Sequence, residues 1–201
     1  LGELDKRSPD RFRADVVTNR NNRAILERWT SLALPDGWLV AGCLFQTVWN
    51  LQSGRAPDAD IKDYDLFYFD ASDLSEAAER ERQAHVDSIL ADLGVAVEVS
   101  NQARVHTWYE AYFGRPYPAL GSAREGIDRF LMPATCVGIR PDAVHAPNSL
   151  DMLYDGVLTA NPLTPYPDLF EAKAASYLQR WPWLRIDRGA YRAANAALIS
   201  S

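Results

Sequence analysis

Apolar residues recur along this chain at two periods, and the periods divide it into helices and strands. From Asn19 to Leu34, Ile25, Leu26, Trp29, Leu32 and Ala33 fall at helical spacing, with asparagines as caps. Pro35-Asp36-Gly37 marks a turn, and Trp38-Leu39-Val40-Ala41 predicts a short strand running into Gly42. Cys43 to Leu51 predicts a helix with Leu44, Val48 and Leu51 on one face. A polar loop, Gln52 to Asp60, leads to a run of strand formers: Tyr64, Leu66, Phe67, Tyr68 and Phe69. Ser72 is the expected N-cap of a long helix that Gly94 stops. Val95 to Val99 predicts the next strand, Ser122 to Phe130 a helix, and Thr135 to Ile139 a strand. Pro141 to Asn148 reads as a loop, Leu150 to Leu158 as a short helix, and Asp168 to Arg180 as a last helix ended by Trp181-Pro182-Trp183. Helices interleaved with strands in this order indicate a mixed α/β or α+β domain.

Composition narrows the partners. The chain has 201 residues, enough for one domain plus extensions, and its 47% hydrophobic content allows a sizeable core. With 27 acidic against 21 basic residues the net charge is -6, which disfavours a long nucleic acid bound through a basic footprint. Two cysteines, Cys43 and Cys136, make neither a disulfide framework nor a zinc set. No apolar run approaches the ~20 residues of a membrane helix. Leu1 to Asp15 is charged and lacks the apolar core of a signal peptide, so a cytoplasmic location is expected.

Candidate chemistry begins with Asp63 and Asp65. Side chains two apart on a strand share a face. Two carboxylates held close repel by roughly 4 kcal/mol at an effective dielectric near 20, and a divalent cation with a taste for hard oxygen relieves that repulsion. The competing reading is a solvated pair, or one answered by Lys62 and Arg55. Gly42, at a strand-to-helix turn, lets a ligand approach backbone N–H groups that favour phosphate, although a plain tight turn needs the same residue. Glu98 lies within an otherwise apolar strand, on the face of Ala96 and away from Val97 and Val99. If its strand pairs beside that of Asp63 and Asp65, three carboxylates surround one point. Otherwise Glu98 faces solvent or pairs with Arg104. Trp49 and the Trp181-Pro182-Trp183 corner are expected to pack, and His106 to bond a neighbour.

The order Gly42-Cys43, then Asp63-Tyr64-Asp65-Leu66, then Glu98 resembles the nucleotidyltransferase superfamily of the DNA polymerase beta type. More narrowly, Val40-Ala41-Gly42-Cys43-Leu44-Phe45-Gln46-Thr47-Val48-Trp49-Asn50 resembles a bacterial family of uncharacterised nucleotidyltransferase-like proteins. So do Glu98-Val99-Ser100-Asn101-Gln102-Ala103-Arg104-Val105-His106, Ala134-Thr135-Cys136-Val137-Gly138 and Arg180-Trp181-Pro182-Trp183. Cys43 departs from the Ser or Gly usual at that turn, and Pro147-Asn148-Ser149-Leu150-Asp151-Met152 departs from the family's Phe-Gly-Leu-Asp-Asp-like stretch.

The resemblance implies an α+β fold: a polymerase beta-like core, a small mixed sheet flanked by helices, with additional C-terminal helices. It implies an N-terminal extension over residues 1–18 and one domain over 19–201, of which 160–201 is a helical extension. It implies Asp63, Asp65 and Glu98 as catalytic residues and as ligands of Mg²⁺ or Mn²⁺. Gly42, Cys43, Asn101, Gln102 and Arg104 are the expected nucleotide-binding residues, Arg104 because its donor fork suits phosphate; the alternative for Asn101, Gln102 and Arg104 is that they tie down the strand end and support Glu98 from behind. The expected activity moves a nucleoside monophosphate from a nucleoside triphosphate to an acceptor hydroxyl on a small molecule, a protein or an RNA, and releases pyrophosphate. The alternative is a nucleotide-binding or regulatory module that transfers nothing. A glycosyltransferase also uses an Asp-x-Asp pair, but its fold needs more strands before the pair than residues 1–60 supply.

Overall fold

The computed structural model describes residues 7–189. Helices α1 (Pro9–Val16), α2 (Arg20–Glu27) and α3 (Trp29–Leu32) precede β1 (Trp38–Val40), which turns through Ala41 into α4 (Gly42–Gln52). Then come β2 (Asp63–Tyr68), α5 (Glu76–Leu90), β3 (Ala96–Asn101), α6 (Tyr109–Phe113) and α7 (Ala123–Ile127). The hairpin β4 (Gly138–Arg140) and β5 (Ala143–His145) follows, then α8 (Asp151–Asp155), β6 (Val157–Leu158), α9 (Pro167–Arg180) and β7 (Arg185–Ile186). The main sheet has the order β3-β2-β1-β4-β5. Only β2 and β3 run parallel in it. It is the small mixed sheet flanked by helices that the pattern and the resemblance called for.

Alternation along the strands gives the sheet two unlike faces. Tyr64, Leu66 and Tyr68 of β2, with Leu39 of β1 and Ile139 of β4, are buried. A polar seam ties this face to the helices: Asn21 Nδ2 donates to the Tyr64 hydroxyl at 2.9 Å, and Asn19 Nδ2 to Thr47 Oγ1 of α4 at 3.1 Å. Asp63, Asp65 and Phe67 point the other way. Fully burying the apolar side chains of one face is worth about 1.5–3 kcal/mol each, which holds the register against a slip that would turn the acids inward.

Several elements differ from the sequence expectation, each for a local reason. Within the expected N-terminal extension, Ser8 caps α1, and Phe12 and Val16 are fully buried. Residues 1–6 of the expected extension, and the chain beyond residue 189, lie outside the described residues. The long helix starts at Glu76, not after Ser72, because Asp70 and Asp73 each accept a backbone N–H two residues on and hold that stretch in turns. Ser75 then caps it through Ala78 N. Part of the expected loop 141–148 is strand β5, paired with β4. Strand β7 follows the Trp181-Pro182-Trp183 corner and was not legible as two residues. No helix among the described residues is long and apolar enough to cross a membrane.

Candidate active site

The parallel pairing of β2 and β3 sets the acids. Asp65 lies opposite Glu98, and Asp63 opposite Ala96. Residues in register across a strand pair share a face, so Glu98 stands beside Asp65 on the side of the sheet opposite Tyr64 and Leu66. Burial raises the Asp65 carboxyl to about 6, and the charges of Glu98 and Asp63 add to the rise. Lys173 works against it. Neither Asp63 nor Asp65 has a side-chain hydrogen bond among the described residues. Hard oxygen donors crowded this way, with no proton donor to answer them, fit a divalent cation such as Mg²⁺ or Mn²⁺. The third ligand is a different matter. Glu98 sits on the edge strand with its side chain exposed, and no group of three His, Cys, Asp or Glu side chains among the described residues is close enough together to hold a metal. The pair on β2 is the donor set present.

The turn between β1 and α4 faces this pair. Ala41 has φ 46°, a left-handed conformation that a residue with a Cβ adopts at a cost of about 1–3 kcal/mol. It is held there by its N–H on Val137 O at 2.9 Å and by its carbonyl, which accepts from Leu44 N at 2.8 Å and Phe45 N at 3.0 Å. The N–H groups of Gly42 and Cys43, ahead of those bonds, are left to the first turn of an 11-residue helix with its positive dipole end. A Cβ on Gly42 would lie 3.3 Å from Gln46 Nε2 and 3.9 Å from Asp65 Oδ2, so glycine keeps open the gap between helix start and acid. The Cys43 side chain does not enter that gap. It is fully buried, with Sγ 3.6 Å from Val40 O, and burial holds its thiol far above the ordinary range.

Gly42, Asp63 and Asp65 line one cavity of about 640 Å³. Phe45, Phe130, Leu131 and Met132 form its apolar side, and Gln46, Lys62, Lys173 and Arg180 add polar and cationic groups. Sequence reasoning assigned no site role to Gln46, Lys173 or Arg180, and weighed Lys62 only as an answer to the aspartate pair. A signal existed for Gln46, one helical turn after Gly42, and for positions 173, 176 and 180 at helical spacing, but nothing local connects α9 with β2.

The residues after Glu98 go elsewhere. Following the chain from Glu98 means following β3 along the sheet, so Asn101 is about 10 Å farther on and pairs with Tyr68. Asn101 and Gln102 are 1% and 2% exposed. Asn101 bonds Asp70 through both N–H and carbonyl, and Gln102 lies so close to Gly126 that a Cβ there would meet its Oε1 at 2.1 Å. Arg104 is ion-paired with Glu79, and its Nε donates to Leu74 O at 3.1 Å. None of the three lines the cavity. These residues brace the strand end; the guanidinium chosen for phosphate is already occupied. Arg55 likewise pairs with Asp60 and leaves the aspartate pair unanswered. His106 Nδ1 is buried with no hydrogen-bond partner, contrary to the expected neighbour bond, whereas Trp49 is fully buried and donates to Leu153 O at 3.0 Å as core residues do.

An acid pair on a central strand, facing a glycine-opened helix across a mixed sheet, is a recognisable architecture. A solved NMR structure described as revealing a CCA-adding enzyme head domain is similar to this chain in fold, with a TM-score of 0.72 over 90% of this chain and 96% of that one. At 20% identity the likeness establishes a common fold, that of a nucleotidyltransferase head domain. A family model described as nucleotidyltransferase matches residues 27–186, and the chain belongs to that family. A search of curated proteins finds no match.

Proposed function

We propose that this nucleotidyltransferase-family protein transfers a nucleoside monophosphate from a nucleoside triphosphate to an acceptor hydroxyl, with Mg²⁺ or Mn²⁺, and releases pyrophosphate. The observation that carries this reading is the pairing of two under-partnered carboxylates, Asp63 and Asp65, with the open N-terminus of α4 across one cavity. Asp63 and Asp65 would hold the cation, which when bound neutralises charge developing on the phosphates. The N–H groups of Gly42 and Cys43 meet phosphate oxygens at the helix start. The acceptor oxygen bonds the α-phosphorus as the bond to the bridging oxygen breaks, and pyrophosphate leaves with that electron pair. In this reading Glu98, in register with Asp65, orients the acceptor hydroxyl and receives its proton. The apolar wall of Phe130, Leu131 and Met132 offers a surface to a sugar or base.

The test is pyrophosphate release from each of the four ribonucleoside triphosphates with Mg²⁺ or Mn²⁺, in wild type and in Asp63→Asn/Asp65→Asn. Release by wild type and its loss by at least ~10³-fold in the double variant is the expected outcome. Equal turnover in both would remove this mechanism. A second reading, nucleotide binding without transfer, draws on one observation: Glu98 does not close on the aspartates as a third ligand. Calorimetric binding of nucleotide with no pyrophosphate released would favour it.

A further inference from the structure

We infer that the cavity-facing stripe of α9, Lys173 and Arg180 with Lys62 opposite, is a polyphosphate subsite that takes the β- and γ-phosphates of a nucleoside triphosphate. The identity of the nucleotide rests on the reading above; the anion chemistry does not. Lys173, Ser176 and Arg180 are spaced three and four apart, so they form one stripe along the helix, and all three line the cavity. Lys173 and Arg180 are two turns apart, roughly 10 Å along the axis, a separation that their long side chains can close on neighbouring phosphates.

The stripe is held rigidly from behind. Phe170, Ala174 and Tyr177 on the same helix are buried. Tyr177 meets Trp49 edge-on at 5.4 Å, Trp49 meets Trp181 at 5.2 Å, and Trp181 Nε1 donates to Asn50 Oδ1 at 3.1 Å. The helix that carries the cations is therefore in place before a ligand arrives, which lowers the ordering cost of binding. They are also poorly matched. Among the described residues Lys62 and Lys173 form no ion pair, and Asp60, the remaining acid of the cavity, is engaged by Arg55. Arg180 lies over the Trp181 ring at 4.1 Å and donates once, to Asp60 O at 3.1 Å, while its Nε is buried with no partner. Asp63 and Asp65 are the acids left to offset three cations, and a divalent cation on that pair would take up their charge. The cavity then holds an excess of positive charge along α9, where Arg and Lys donors favour phosphate oxygens.

Calorimetric titration of the full chain with inorganic tripolyphosphate and Mg²⁺, and separately with AMP, tests the subsite. The protein is wild type, Lys173→Gln and Arg180→Gln. Lys173 is exposed, so its variant keeps the fold, and a thermal melt checks both. Wild type is expected to bind tripolyphosphate, each variant roughly ten- to a hundredfold more weakly, and AMP equally in all three. Wild type that ignores tripolyphosphate, variants that bind it as well as wild type, or a matching loss for AMP would each overturn the subsite. Transfer is not read in this experiment. Intact tripolyphosphate binding without pyrophosphate release would therefore sink only the catalytic reading, and active transfer with an unaltered KM in Lys173→Gln only the subsite.

Discussion

Asp65 carries the greatest electrostatic load of the cavity. Its carboxyl is raised to about 6 in the folded chain by burial, then by Glu98 and Asp63. An unfolded aspartate titrates near 4. Between about pH 4 and 6 the folded chain thus keeps a proton that the unfolded chain has lost. Stability is full below that window and declines as pH rises through it, by about 2–3 kcal/mol in metal-free protein. Asp65→Asn removes the charge but not the shape. Its melting temperature in chelator is expected to exceed that of wild type by several degrees near pH 8, and the two to converge near pH 4. Thermal unfolding across pH checks this. A variant less stable than wild type at pH 8 would show that the carboxylate is answered by some other group. Glu98 differs from Asp65 in one respect: on an edge strand it reaches water, so the same face gives two acids different environments.

At the scale of elements, the site is the meeting of a strand, a helix start and a distant helix face, while the segment after β3 is bracing. Arg104 shows the difference. Its guanidinium pairs with Glu79 of α5, whose other oxygen accepts Asn101 N at 2.8 Å, so one ion pair ties helix, strand end and the following turn. Arg104→Ala is expected to cost about 2–3 kcal/mol in urea unfolding, because it leaves a mostly buried carboxylate short of a partner. Its affinity for tripolyphosphate, measured where the variant is folded, is expected to match wild type. A large loss there would return Arg104 to the phosphate site. The nucleotide-binding expectation for Arg104 followed its residue type and its place shortly after Glu98; strand direction carries it away, since each residue of β3 adds about 3.3 Å.

On the scale of the whole molecule, the acids and the cations reach one cavity only because the chain closes on itself from both ends. Helix α1 contributes Phe12 and Val16 to the core, and α9 contributes Phe170, Ala174 and Tyr177. A chain starting at residue 18 is expected to lose cooperative folding. Two fully buried side chains and their cavities are worth about 5 kcal/mol or more against a total of about 5–15. Circular dichroism melting decides this; a truncated chain that melts like the full one would make residues 9–16 an appendage after all.

The sequence by itself determined the elements with a strong period and the face on which each acid stands. Alternation alone put Asp63 with Asp65 and Glu98 with Ala96, because a strand allows its side chains two directions. The glycine turn before α4 was legible for the same reason: it is local. Only the tertiary structure decided that β3 pairs parallel to β2 with Glu98 at Asp65, that Glu98 stays in solvent, and that Arg104 is spent on Glu79. It alone brought Lys173 and Arg180 to face Asp63 and Asp65 across the cavity. That juxtaposition joins segments far apart in the chain through the packing of Tyr177 and Trp181 on Trp49, and no period within either segment encodes the position of the other.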